Sequence, residues 1–259
     1  MLLQTDLMTP EQSDIFIDVQ HRCVGALTQR AIPATLLQHN RSRMHARMTT
    51  PTPTPLPNHD EIGTLELFTG LALEQIVVVS NARDAAAALA ELSRHAAVGF
   101  DTESRPTFHR HQKCEGPHVV QFATPQHAYL FQAHVDDSHA ALTELLASST
   151  MAKVGFGLSN DLQHIRHKFS VRPQGVIDLN HVFHEMGHKN CVGARAAIAA
   201  LFHRRLAKSK RITTSNWSSK TLSAQQVLYA ANDAYAALRV FEALAVPRAT
   251  WARLAARAR

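Results

Sequence analysis

Cysteine is scarce. The chain of 259 residues has three, Cys23, Cys114 and Cys191, far apart and never in a C-x-x-C pair. That argues against a disulfide framework and a cysteine-built zinc site, and fits a reducing cytoplasmic compartment, or a nucleus if the source is eukaryotic. No apolar run approaches the roughly 18 residues of a transmembrane helix. No basic segment followed by an apolar stretch opens the chain, so no secretory signal is expected. Asp6, Glu11, Asp14 and Asp18 also argue against an acid-poor transit peptide. No internal repeat is evident.

What remains is an ordinary globular composition. Hydrophobic residues make up 45% of the chain, enough for the core of one domain with extensions. Lys and Arg total 27 against 21 Asp and Glu, for a net charge of +6. A modest basic excess is compatible with a polyanionic partner without requiring one. The 17 histidines are scattered and read as surface residues.

Residues 1–60 stand apart. They end in TTPTPTPLPN, Thr49 to Asn58, whose alternating prolines exclude helix and remove strand donors, so this stretch reads as an extended linker. The segment 1–60 is expected to be a disordered extension, 61–246 the compact domain and 247–259 a basic, amphipathic tail. Within the domain, IVVVS (76–80), AVGFDTE (97–103), HVVQFAT (118–124), HAYLFQ (127–132), AKVGFG (152–157) and GVIDL (175–179) read as strands. The third and fourth are joined by a short turn at Pro125–Gln126, which makes a hairpin. Helices are expected after Asn81 and Ser138 as caps, through NDLQHIRHKF, and over 180–185, 192–205 and 223–244. The class is α/β, a mixed sheet with helices on its faces.

Three pieces carry chemistry. Asp101 and Glu103 end an apolar strand, and residues two apart on a strand share a face. Their carboxylates can converge on a divalent cation, since hard cations prefer oxygen ligands; a solvated strand end is the plain alternative. Asp161 opens the helix after KVGFG, where complementing the helix dipole would suffice to explain it. Tyr229 and Asp233, four apart in QQVLYAANDAYAALRVFEAL, share a helix face, and the apolar Val227, Leu228, Ala231, Ala234, Leu238 and Phe241 can bury other parts of the helix.

D-x-E on a strand, Asp on a later helix and Tyr-x-x-x-Asp on a C-terminal helix together resemble the tyrosine-containing branch of the DEDD 3′–5′ exonucleases. FDTESRPTF, HVVQFAT, KVGFGLSNDL and SKRITTSNWSSKTLSAQQVLYAANDAYAAL are similar to the exonuclease domain of the Werner-syndrome protein and its stand-alone relatives, and more distantly to ribonuclease D. The resemblance spans about residues 61–246. It implies a ribonuclease-H-like fold with a five-stranded mixed sheet flanked by helices. It implies that Asp101, Glu103, Asp161 and Asp233 hold two divalent cations, Mg²⁺ or Mn²⁺, and that Tyr229 orients the attacking water. Two ions about 3.5–4 Å apart stabilise both the attacking and the leaving oxygen of a phosphodiester.

The implied activity is release of nucleoside monophosphates from a 3′ end, single-stranded or recessed in a duplex, with DNA favoured. A ribonuclease D-like RNA trimmer and a non-catalytic nucleic-acid-binding protein on the same fold are the alternatives. The class works in repair, replication or RNA processing. Lys208, Lys210 and Arg211, near Arg204 and Arg205, are candidates for holding substrate backbone by charge, against a solvated helix end. Trp217 reads as packing under its loop more than as a base-stacking platform. Asp178 reads as a helix cap, and His109 and His111 as part of a polar loop beside the first motif.

Overall fold

The computed structural model describes residues 55–107 and 115–258. Most of the expected extension, together with Cys23, Cys114, His109 and His111, lies outside the described residues.

In chain order the described elements are α1 (His59–Thr64), β1 (Ile76–Val79), α2 (Ala82–Leu92), β2 (Ala97–Glu103), β3 (Val119–Ala123), β4 (Ala128–Gln132), α3 (His139–Ala147) and β5 (Ala152–Gly155). They continue with α4 (Ser159–Phe169), β6 (Val176–Asp178), α5 (Leu179–Glu185), α6 (Ala194–Phe202), α7 (Lys210–Thr213), α8 (Ala224–Ala243) and α9 (Trp251–Arg257). The sheet order is β1-β4-β3-β2-β5-β6. β3 runs antiparallel to β2 and β4, whereas β1–β4, β2–β5 and β5–β6 are parallel. The sheet therefore has six strands where the resemblance implies five. β1 lies outside β4 at one edge.

Strand periodicity sorts β2 between two layers. Val98 and Phe100 enter a core with Phe122, Phe131 and the apolar faces of α2, α3 and α4. Phe100 and Phe122 sit 5.4 Å apart between ring centroids, and Phe122 and Phe131 5.9 Å. Each such buried ring contributes roughly 1.5–3 kcal/mol. Residues 97, 99, 101 and 103 face the other way, toward α8.

α8 is the long helix of the fold. Ser223 caps it, with Gln226 reciprocating in a capping box. Its alanines let it lie against the sheet. Gly99 is what permits the contact: a Cβ there would stand 1.9 Å from the Ala234 carbonyl oxygen.

Several local expectations are corrected. Asn58, read as the end of the linker, caps α1 in a capping box with Glu61. Ser138 does not cap α3; the preceding 3₁₀ turn brings its hydroxyl to the Val135 carbonyl oxygen, to which it donates. α6 stops at Phe202, short of Arg205, because His203 turns left-handed (φ 52°) and Arg205 bridges to Leu67. The segment 247–258 folds back on the domain: Leu254 is buried, Trp251 packs on Phe241, and Arg253 and Arg257 pair with Glu185. Among the described residues no helix is long and apolar enough to cross a membrane.

Candidate active site

β2 delivers Asp101 and Glu103 to the α8 face, and the Gly99 contact brings α8 close enough for Asp233 to meet them. One carboxylate oxygen from each of Asp101, Glu103 and Asp233 lies within 4.8 Å of the others. Asp101 is half-buried, and the other two are buried.

Asp161 approaches from the opposite layer. β5 ends at Gly155, and the turn that follows is held by Asp178, whose carboxylate accepts from the amides of Gly157 (3.0 Å) and Leu158 (2.9 Å). The same carboxylate accepts from Asn180 N at 2.9 Å and so caps α5, as its sequence context suggested. This clamp sets the start of α4 and puts Asp161 in its first turn. Thr102, on the α4 side of β2, donates its hydroxyl to Asp161 Oδ1. Asp161 thus lies beside the three-carboxylate set, near enough to act on Asp101 by charge, without being one of the three.

Four acids in one place repel one another. Burial pushes the Asp101 carboxyl well above the usual carboxylate range, and Asp233 and Asp161 push it further. Burial, then Asp101 and Asp233, raise Glu103 to about 9. Burial also raises Asp161 against the Thr102 hydrogen bond, and Asp233 against Lys208. Lys208 Nζ lies 2.7 Å from Asp233 Oδ2. Burial works against its ammonium, but the Asp233 carboxylate and its neighbours outweigh that and hold it above the usual lysine range.

Tyr229 sits one turn before Asp233. Its hydroxyl is 2.8 Å from Thr213 Oγ1, its ring is tilted against Trp217, and Lys208 Nζ lies 5.4 Å from the ring centroid. Burial and the Asp233 charge raise its pKa. Trp217 is fully buried and donates Nε1–H to the Thr213 carbonyl oxygen at 3.2 Å, so it packs rather than stacks on a base.

Of the basic cluster, only Lys208 reaches the acids. Arg211 donates to Gln225 Oε1 at 2.7 Å, Arg205 donates Nε–H to the Leu65 carbonyl oxygen at 2.9 Å, and Lys210 is exposed. Among the features that escaped the sequence reading, two lie against Asp161 and Asp101. One is the Thr102 hydroxyl. The other is Gln121, directly across β3 from Asp101 and fully buried, whose side-chain amide has no hydrogen-bond partner among the described residues.

The donors suit a hard divalent cation. They are carboxylate oxygens, close enough to share one ion, and a cation would relieve the repulsion that Asp101 and Asp233 exert on their neighbours.

A family model described as 3′–5′ exonuclease matches residues 76–246, more than half of the chain. The chain belongs to this 3′–5′ exonuclease family, whose chemistry implies dependence on a divalent metal. It is 30% identical over 178 residues to a 3′–5′ exonuclease of Arabidopsis thaliana, covering 67% of this chain and 58% of that protein. It is 28% identical over 151 residues to the mouse bifunctional 3′–5′ exonuclease/ATP-dependent helicase WRN, covering 57% of this chain and 11% of that protein. The chain thus spans less than two thirds of either relative. Trypanosoma brucei RNase D, solved in complex with RNA U12, shares the fold with a TM-score of 0.62 at 19% identity, covering 71% of this chain and 68% of that one.

Proposed function

We propose that this chain hydrolyses phosphodiester bonds from the 3′ end of a nucleic acid, with DNA favoured, releasing nucleoside monophosphates with the help of two divalent cations. The observation that carries the reading is the convergence of Asp101, Glu103 and Asp233 within 4.8 Å inside the family-matched domain. Those three residues and Asp161 would hold the cations, Mg²⁺ or Mn²⁺. When bound, such ions stabilise charge on the attacking and leaving oxygens and lower the pKa of a bound water.

The chain's own groups do the rest. Asp101 and Glu103 are fixed by the strand, so the oxygens they offer are preorganised. Thr102 holds the Asp161 carboxylate at the strand's edge. Tyr229, with its pKa raised, stays a phenol at neutral pH; it positions the attacking water by hydrogen bonding and does not deprotonate it. Lys208 remains charged and offers its ammonium to the phosphate beside Asp233. Lys210 and Arg211 lie near enough in sequence to add backbone contacts by charge alone.

The reading extends to a 3′ end that is single-stranded or recessed in a duplex, in a cytoplasm or a nucleus, within repair, replication or RNA processing. RNA is the second reading, favoured by the RNA bound to the T. brucei relative of the same fold. Matched DNA and RNA oligonucleotides, labelled at the 5′ end, single-stranded or recessed, test the choice. Faster shortening of DNA supports the first reading. Faster shortening of RNA replaces it with the second. No shortening of either by folded protein with Mg²⁺ or Mn²⁺ leaves a non-catalytic binding role.

A further inference from the structure

Beside the acids, the structure has a cleft that shares Lys208, Tyr229 and Arg211 with the catalytic reading and extends beyond them. Its volume is about 610 Å³, within the ~300–1,000 Å³ of small-ligand sites. It begins at Lys208 and Tyr229 and runs between the 63–71 segment, the start of α6, and the Gln225, Leu228 and Asn232 face of α8. Among the described residues four cations line it, Arg195, Arg205, Lys208 and Arg211, and no Asp or Glu does. Among the described residues, Arg195, Arg205 and Arg211 make no ion pair. Arg195 goes further: its Nε is buried with no hydrogen-bond partner among the described residues.

The wall of the cleft is built firmly. Asn232, adjacent to Asp233, accepts from the Leu71 amide at 2.7 Å and donates to the Leu71 carbonyl oxygen at 3.2 Å. Gly70 makes room, since a Cβ there would stand 2.1 Å from Asn232 Oδ1. The 65–72 segment is thereby fastened to the same helix that carries Tyr229 and Asp233.

We propose that this cleft holds the phosphodiester backbone of the strand beyond the nucleotide being removed, with Arg195 contacting a phosphate. The proposal rests on the exonuclease reading and adds where the strand lies. A cleft continuous with Lys208 and Tyr229 is reached by the nucleotides next to the scissile bond. Unneutralised arginines suit phosphate oxygens, which they meet with paired N–H donors. Phe68, Leu71 and Leu228 give apolar surface for sugar or base faces. Contacts of this kind position a strand without reading its sequence.

The test is equilibrium binding, which does not need turnover. A fluorescent single strand of about a dozen nucleotides, within the ~4–16 typical of single-strand sites, is titrated by anisotropy in chelator at several salt concentrations. Wild type, Arg195→Gln and Arg195→Lys are compared, with matched melting temperatures as the folding control. The cleft predicts that Arg195→Gln weakens binding on the order of tenfold. It also predicts that the slope of log K against log salt falls by about 0.7. Arg195→Lys keeps the wild-type slope. A free nucleoside monophosphate, used as competitor, should displace the strand weakly and with no dependence on Arg195. Equal affinity and slope in Arg195→Gln would overturn the proposal, as would a monophosphate whose binding is lost equally in that variant, which would mark a mononucleotide site. A protein that binds as predicted but cuts nothing would sink the exonuclease reading and leave the cleft standing.

Discussion

Lys208 Nζ stands 2.7 Å from Asp233 Oδ2, so one ammonium already sits against the carboxylate set. It offsets part of the repulsion among Asp101, Glu103 and Asp233. Replacing it with Met should cost the metal-free protein about 1–3 kcal/mol, the range for hydrogen bonds to charged groups. Its side chain is 30% exposed, which favours the lower half. Urea unfolding in chelator measures this. With saturating Mg²⁺ the gap between wild type and variant should narrow, because carboxylates without the competing ammonium bind the cation more tightly and so gain more stability from it. A gap unchanged by metal would show that Lys208 does not neutralise the site.

The raised carboxyls fix a pH dependence. Above pH 5 an unfolded chain has ionised these acids, whereas in the folded, metal-free protein Glu103 titrates near 9 and Asp101 is held well above the usual carboxylate range, with Asp161 and Asp233 shifted in the same direction. The folded state then binds more protons than the unfolded one, so stability falls as pH rises from about 5 toward 9. Lys208 stays charged throughout. His118, lowered from 6.5 by burial, works the other way below that pH, and Lys153, lowered by burial to about 7, does so above 7. Urea midpoints in chelator should therefore show a decline that Asp101→Asn combined with Glu103→Gln flattens. Identical profiles in the two proteins would contradict the protonated set.

Tyr229→Phe removes one hydroxyl and keeps the ring against Trp217. If that hydroxyl orients the attacking water, kcat should fall on the order of a hundredfold while KM stays near wild type. Steady-state kinetics across pH decides it. Wild-type turnover at every pH would remove Tyr229 from the reaction.

Gly99→Ala tests how the site is assembled. The added methyl meets the Ala234 backbone 1.9 Å away, so α8 must move off β2. The expected cost is about 1–3 kcal/mol of stability, together with weaker metal binding by calorimetry, because Asp233 moves with the helix. Unchanged metal affinity would show that the acids do not depend on that contact.

The acids were legible in the sequence because each motif is local. Strand alternation pairs Asp101 with Glu103, and helix periodicity pairs Tyr229 with Asp233, whatever the tertiary fold. The Asn58 and Glu61 capping box was also written locally, but the flanking prolines hid it. What stayed hidden joins distant segments: Thr102 to Asp161 across two layers, Lys208 to Asp233 from an irregular segment, and Leu71 to Asn232 across most of the domain. Arg195 carries no local mark either. Its place at the cleft follows from how α6 meets α8.

The most direct test of the central claim is a gel assay of a 5′-labelled strand with wild type and with the Asp101→Ala, Glu103→Ala double variant, each in divalent cation and in chelator. The account predicts a ladder shortening from the 3′ end for wild type in Mg²⁺ or Mn²⁺, and none in chelator or with the variant. A ladder that persists in the folded double variant would place the chemistry elsewhere.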